Sequence, residues 1–173
     1  MQYRSKRRGG ERSRSKECNS NEAEEMKELR TEININAPAE RVWRVLADFT
    51  SYPGWNPFIR RIRGTPRVGE RLEVRLQPSG ARGFTFHPEV LTAEPTRELR
   101  WLGHLLVPKV FDGEHIFTIE PLAEERVRFI QREIFNGLLV PFFMPFVEAD
   151  TRRGFEEMNR ALKERAEATI SEP

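Results

Sequence analysis

Two polar residues in the second half of the chain interrupt otherwise apolar alternations. His115 alternates with Phe117 and Ile119, and Glu133 alternates with Val127, Phe129 and Phe135, so in extended segments both project from the side that must be buried. If the two segments form an antiparallel hairpin, it is centred near Glu124. Its register sets His115 across from Glu133, with Gln131 as their neighbour. A carboxylate beside an imidazole can act as a general acid/base pair for aldol-type cyclisation or dehydration, because imidazole ordinarily titrates near neutrality. The same pair can instead be a satisfied polar contact that orients a ligand or fixes strand register. A slip of one residue turns one of the two outward.

Other reactive residues lack partners in sequence. His87 precedes Pro88 and His104 follows Gly103, neither with an acid or histidine at ligand spacing on a common face, so no metal is expected. The only cysteine, Cys18, lies in a polar segment, which leaves no disulfide, thiolate cluster or catalytic thiol. Ser51 and Ser79 have no nearby base. Asp48 and Asp150 read as a cap, a turn or surface charge. No phosphate-cradling glycine string follows a strand, so no cofactor is expected.

The elements that must position His115 and Glu133 come from a chain of 173 residues, long enough for one domain. Residues 1–28 are charged and nearly devoid of apolar residues, so they read as a disordered tail. Its charge is segregated: Met1 to Lys16 holds seven basic residues and one acid, and Glu17 to Glu28 holds five acids and one lysine. Since the whole chain is formally +2, the body from Leu29 onward is neutral and has no basic excess for nucleic acid. Residues 4–16 are the place for a nucleic-acid or partner contact, or else a dispensable extension. Met26, just ahead of the first alternation, is a candidate natural start. No run approaches the roughly 18 to 20 apolar residues that span a bilayer, and no apolar signal stretch is present. The protein is therefore expected in the cytosol.

Within residues 29–170, Ile33 and Ile35 mark a strand, and Val42, Trp43, Leu46 and Ala47 mark a helix after Pro38. Pro53-Gly54-Trp55-Asn56-Pro57 forces a turn with a short helix at most, with Trp55 and Phe58 packing inward. Strands are predicted at Phe58–Arg63, Glu70–Gln77, Gly83–Ala93, Glu98–Leu106, His115–Glu120 and Arg126–Asn136. Leu72, Val74 and Leu76 alternate with charged residues, so the sheet is antiparallel and covered on one face. After Pro141 and Pro145, residues Phe146–Thr169 carry Val147, Phe155, Met158, Leu162 and Ala166 on one stripe, a helix of about 36 Å. The fold class is α+β, with that helix against the only apolar sheet face.

The order of these elements, with Ile33-Asn34-Ile35-Asn36-Ala37-Pro38-Ala39-Glu40-Arg41-Val42-Trp43, Leu46-Ala47-Asp48-Phe49 and Tyr52-Pro53-Gly54-Trp55-Asn56-Pro57, resembles the START/Bet v 1-like (SRPBCC) superfamily. The likeness is greatest to its polyketide cyclase/dehydrase and lipid transport group and continues through Gly69-Glu70-Arg71-Leu72, Trp101, Phe111-Asp112-Gly113-Glu114-His115, Phe135-Asn136-Gly137-Leu138-Leu139 and Arg152-Arg153-Gly154-Phe155. It covers Met26 to Ala168. The resemblance implies a helix-grip fold, a curved sheet of about seven strands wrapped around the C-terminal helix. It also implies an apolar cavity between them for a lipid, sterol, polyketide or hormone-like molecule.

All twelve phenylalanines and all three tryptophans follow the tail. Phe84, Phe86, Phe117, Phe129, Phe142, Phe143, Phe146 and Phe155 can face one interior, either as a cavity wall or as plain core. The expected wall is Trp101, Phe117, Phe129, Gln131, Phe142, Phe146, Phe155 and Met158. The leading expectation is therefore binding of a small hydrophobic molecule for transfer, sequestration or sensing. Two alternatives stand beside it: a cofactor-independent cyclase/dehydratase using His115 and Glu133, and a regulator that associates with protein or RNA through its basic tail.

Overall fold

The computed structural model describes residues 26–78, 82–104 and 109–168. The basic residues 4–16, Cys18 and Ser79 lie outside the described residues. Among the described ones the chain runs β1 (Lys27–Ile35), α1 (Ala39–Ala47), a 3-10 turn at Phe49–Ser51, α2 (Tyr52–Trp55), β2 (Ile59–Arg63), β3 (Glu73–Leu76), β4 (Phe84–Phe86), β5 (Glu89–Glu94), β6 (Glu98–His104), β7 (Asp112–Ala123), β8 (Arg126–Asn136) and α3 (Val140–Glu167). The first strand starts inside the segment that composition assigns to the tail. Lys27 and Glu28 pair with Phe135 and Ile134 of β8.

The architecture is α+β and antiparallel: a five-stranded sheet in the order β1-β8-β7-β6-β5 and a three-stranded sheet in the order β2-β3-β4. The segment Gly83–Ala93, expected as one strand, is broken at His87-Pro88, because proline cannot donate to a ladder. Its two halves become β4 and β5 in different sheets. The sheets stay joined where the approach to β3 meets the start of β5. Leu72 N–H donates to Pro88 O, Val90 N–H to Glu70 O and Gly69 N–H to Val90 O, each at 2.8 to 2.9 Å. The result is one curved wrap around α3.

Helix α3 begins earlier than expected, at Val140. Pro141 sits in the first turn, where backbone N–H groups have no helical partner, and Pro145 forfeits one internal bond without ending the helix. Its buried stripe is Val140, Met144, Phe155, Met158, Leu162 and Ala166. The helix lies chiefly on β1 and runs in the same direction. Arg152 donates to Arg30 O (3.3 Å), Asn159 to Thr31 Oγ1 (3.0 Å) and Lys163 to Asn34 O (3.0 Å), while Glu167 accepts from Asn36 N–H (2.6 Å).

Helix α3 packs tightly against the residue preceding β2 at Gly154. A Cβ there would lie 2.1 Å from the Phe58 ring, which itself meets Phe155 edge-on at 5.6 Å. Phe58 is anchored by Asn56, whose buried Oδ1 accepts from the N–H groups of Phe58 (3.0 Å) and Ile59 (2.8 Å). Behind it, the buried Tyr52 hydroxyl donates to Leu46 O at 2.8 Å, and burial pushes its pKa well above the ordinary phenol value.

Two stability outcomes follow from this packing. Gly154→Ala forces Phe58 aside, and urea denaturation should show a loss of about 1 to 3 kcal/mol, typical of overpacking; unchanged stability would mean the ring is free to move. Glu167 is held below the usual carboxylate range first by its hydrogen bond to Lys163, and also by the Asn36 N–H. Because the folded pKa is the lower one, its contribution is present above the ordinary carboxylate pKa and disappears as pH falls through the folded value. Glu167→Gln should thus lower the melting temperature at neutral pH and match the parent protein in acid.

Candidate functional site

The β7–β8 ladder fixes the site. His115 is paired with Glu133, Phe117 with Gln131 and Ile119 with Phe129, and the next ladders set Trp101 beside His115 and Thr31 beside Gln131. A polar belt therefore crosses the concave face, with apolar residues on either side. His115 is 3% exposed and Gln131 fully buried.

The belt is a chain of polar contacts. His115 Nδ1 lies 3.2 Å from Glu133 Oε2, within ion-pair distance. On the other side of the ring the Gln131 amide nitrogen, which only donates, meets Nε2 at 3.0 Å, so Nε2 is the accepting nitrogen. Gln131 Nε2 also contacts Met158 Sδ of α3 at 3.8 Å. Glu133 owes its position to Gly113 on the neighbouring strand, where a Cβ would come within 2.6 Å of Glu133 Oε1. A side chain at 113 would displace that carboxylate.

Around the belt the rings of Trp101, Phe117, Phe129, Phe155 and His115 form one contiguous group. His115 lies 4.4 Å from Phe117, 5.0 Å from Phe155 and 5.3 Å from Trp101, and Phe117 stacks on Phe129 at 6.0 Å, centroid to centroid. In this structure the side chains expected to wall a cavity touch one another across the sheet–helix boundary. Two open surface hollows of about 690 and 700 Å³ lie elsewhere, near the β5–β6 and β7–β8 turns, and include none of the belt residues.

Phe142 and Phe146 are not part of the wall. They are 68% and 79% exposed, because α3 continues back through Pro145 and turns Val140 and Met144 inward instead. Phe84 and Phe143 are exposed as well. Three features escaped the sequence reading. Asn159 sits on the apolar stripe of α3 and bonds Thr31, its signal being a polar residue between Met158 and Leu162. Gly113 makes room for Glu133. His104 meets Asp112 at 2.7 Å, a pairing visible only once β6 and β7 are in register. Among the described residues no group of three or more His, Cys, Asp or Glu could hold a metal, and no helix is long and apolar enough to cross a membrane.

Three buried polar atoms near the belt have no hydrogen-bond partner among the described residues: Gln131 Oε1, Trp101 Nε1 and Asn159 Oδ1. A polar belt under a gripping helix defines a class of domain, the helix-grip proteins, whose interior face can present both apolar rings and hydrogen-bonding groups. The chain belongs to the polyketide cyclase / dehydrase and lipid transport family, whose profile matches residues 26–167. That membership supports a ligand-binding or cyclase-type role. No curated protein matches the chain significantly.

Solved structures share the fold. The Zhui aromatase/cyclase from Streptomyces sp. R1128 superposes with a TM-score of 0.64 at 18% identity, covering 82% of this chain and 94% of its own. A START superfamily protein from Mycobacterium smegmatis gives 0.64 at 22% identity, covering 81% and 97%. Norcoclaurine synthase from Thalictrum flavum, in complex with dopamine and hydroxybenzaldehyde, gives 0.65 at 14% identity, covering 85% and 90%.

The Gln131–His115 contact has a measurable signature. Gln131→Leu leaves His115 Nε2 buried and unpaired, at a cost of about 1 to 3 kcal/mol. His115→Phe combined with Gln131→Leu should recover most of that loss in a double-mutant cycle read by urea denaturation. Strict additivity of the two substitutions would mean that the contact contributes nothing.

Proposed function

We propose that the protein binds a small, mainly apolar molecule bearing a hydrogen-bonding group, held between the sheet and α3 with its polar group on the Gln131–His115–Trp101 belt. The observation that carries this reading is the belt itself: a buried acceptor at Gln131 Oε1 and a buried donor at Trp101 Nε1, both on an aromatic face and without a partner among the described residues. Such a face suits a ligand that is apolar over most of its surface and polar at one point. Room for it comes from displacing Met158, an unbranched and adaptable side chain that meets Gln131. Phe117, Phe129 and Phe155 then become walls rather than neighbours.

A second reading is supported by the Glu133–His115 geometry. With the Gln131 amide donating to Nε2 and Glu133 3.2 Å from Nδ1, the ring presents Nε2 as its accepting nitrogen, the arrangement a general base needs. A substrate that takes Gln131's place at Nε2 could lose a proton there, as cyclisation or dehydration requires. The family description and an aromatase/cyclase among the structural neighbours favour chemistry of this kind.

The test is native mass spectrometry of the protein purified from its host, followed by titration of the released molecule or an apolar dye into the parent, His115→Ala and Glu133→Gln proteins. A stoichiometric small molecule is expected, with affinity at least about tenfold weaker in His115→Ala, the loss of one buried polar contact. If turnover accompanies binding, Glu133→Gln should retain the ligand yet slow the reaction by roughly 10² to 10⁴. An empty protein that binds no apolar probe saturably would overturn the reading, and unchanged affinity in both variants would remove the pair from the site.

A further inference from the structure

The neutral total of residues 29–173 conceals a segregation of charge. Residues 59–89, which form the three-stranded sheet and lead into β5, hold seven arginines against three acids, a net of +4, so the remainder of residues 29–173 carries −4. Four of these arginines stand on one face. Arg61 pairs with Arg75 and Arg63 with Glu73 across β2 and β3, and Arg75 pairs with Thr85 of β4. Residues directly opposed across a ladder share a face. Arg71 joins them by alternation through Glu73, while the intervening Leu72 and Val74 are fully buried on the other face.

The acids of this segment do not neutralise the face. Glu73 Oε1 is shared by two guanidinium groups, Arg61 at 3.0 Å and Arg63 at 3.3 Å, whose side chains are 44% and 66% exposed. Glu89 stands across a single bridge from Arg71, and at the edge Glu70 is taken by Arg67. Arg75 has no ion pair among the described residues, and its guanidinium lies over Gly83, 3.3 Å from where a Cβ would stand. None of the side chains on this face is apolar. Phe84 and Phe86, opposite Leu76 and Val74, belong to the other face.

The chemistry of the face selects its partner. A tight protein–protein contact rests on buried apolar or aromatic anchors, and stable anchoring on lipid takes an apolar signal besides a basic one; this face offers neither. A nucleic-acid backbone is held by charge alone, and the planar guanidinium fork matches the oxygens of a phosphate. From Arg71 to Arg75 the face runs about 14 Å at 3.4 Å per residue. One strand carries a phosphate about every 3.4 Å, so about four phosphates lie along it, comparable to the charge of the segment. We propose that the outer face of the small sheet binds the phosphate backbone of a single nucleic-acid strand. Binding is independent of sequence, because no aromatic side chain on this face gives bases a stacking surface. This goes beyond the interior ligand reading and uses none of its residues.

The experiment is fluorescence anisotropy of a labelled dodecathymidylate titrated with the full chain between about 50 and 200 mM salt. Saturable binding that weakens with salt is expected. Arg61→Gln/Arg63→Gln/Arg75→Gln should weaken it at least about tenfold at the lower salt. It should also reduce the slope of log K against log salt by about two, for three phosphate contacts at roughly 0.7 each. Arg41→Gln/Arg160→Gln/Arg165→Gln removes the same charge from α1 and α3 and should leave affinity and slope as in the parent. Exposed ion pairs contribute little to stability, so both variants should keep the parent's melting temperature and interior dye binding. The proposal fails if the full chain leaves the oligonucleotide unbound, if the sheet variant binds like the parent, or if the two variants lose affinity equally. It also fails if an oligoglutamate of equal length competes as well as unlabelled oligonucleotide, which would assign the face to an acidic polypeptide.

Discussion

The register of the β7–β8 hairpin is the constraint on which the site depends. Antiparallel pairing admits only whole-residue shifts, and each shift turns every side chain to the other face. With His115 opposite Glu133, the Nδ1–carboxylate contact, the Gln131 bond to Nε2 and the apolar contacts of Phe117 and Phe129 are all satisfied together. A slip of β8 by one residue would expose Phe129 and Gln131 and bury Arg128 and Arg132. The cost of that exchange is far larger than anything the polar pair contributes, so hydrophobic burial sets the register and the polar belt inherits its geometry.

Helix α3 then converts a curved sheet into an interior. Its grip is firm at two places, where Gly154 admits the Phe58 ring and where the Leu162–Ala166 end packs over β1. Between them the facing groups are Met158 and Asn159, one adaptable and one incompletely bonded. The middle of the helix is thus where separation from the sheet costs least, and it lies directly over Gln131.

The fold was largely legible in the sequence, and the reasons are local. Clean alternation at Leu72, Val74 and Leu76, the turn at Pro53–Pro57 and the hairpin centred near Glu124 each follow from short-range sterics and periodicity. The His115–Glu133 pairing was legible because both ends of a short hairpin are tied to one turn. What failed depended on longer-range context. Pro88 lies inside the strand predicted at Gly83–Ala93 but divides it between two sheets, because only the path of β3 decides where the second half pairs. Phe142 and Phe146 fall on the inner wall only if Pro145 bounds the helix; with α3 running through it, helical phase turns both outward. Asn159 and Gly113 act through neighbours distant in sequence, and a single chain gives no sign of which neighbour that is.

Stability alone does not account for the belt. Replacing a buried hydrogen-bonded cluster by apolar side chains of similar volume is often neutral or favourable, and an unpaired buried polar atom costs about 1 to 3 kcal/mol. Hydrophobic burial already fixes the strand register, yet Gln131 and Trp101 add an acceptor and a donor that have no hydrogen-bond partner among the described residues. Apolar residues at 101 and 131 would complete the same core at lower cost. Gln131 and Trp101 both neighbour His115, and Gln131 lies beneath the adaptable Met158. A cluster of unmet hydrogen-bonding capacity beneath the most displaceable part of the core is the arrangement expected where a ligand, not the fold, completes the bonding.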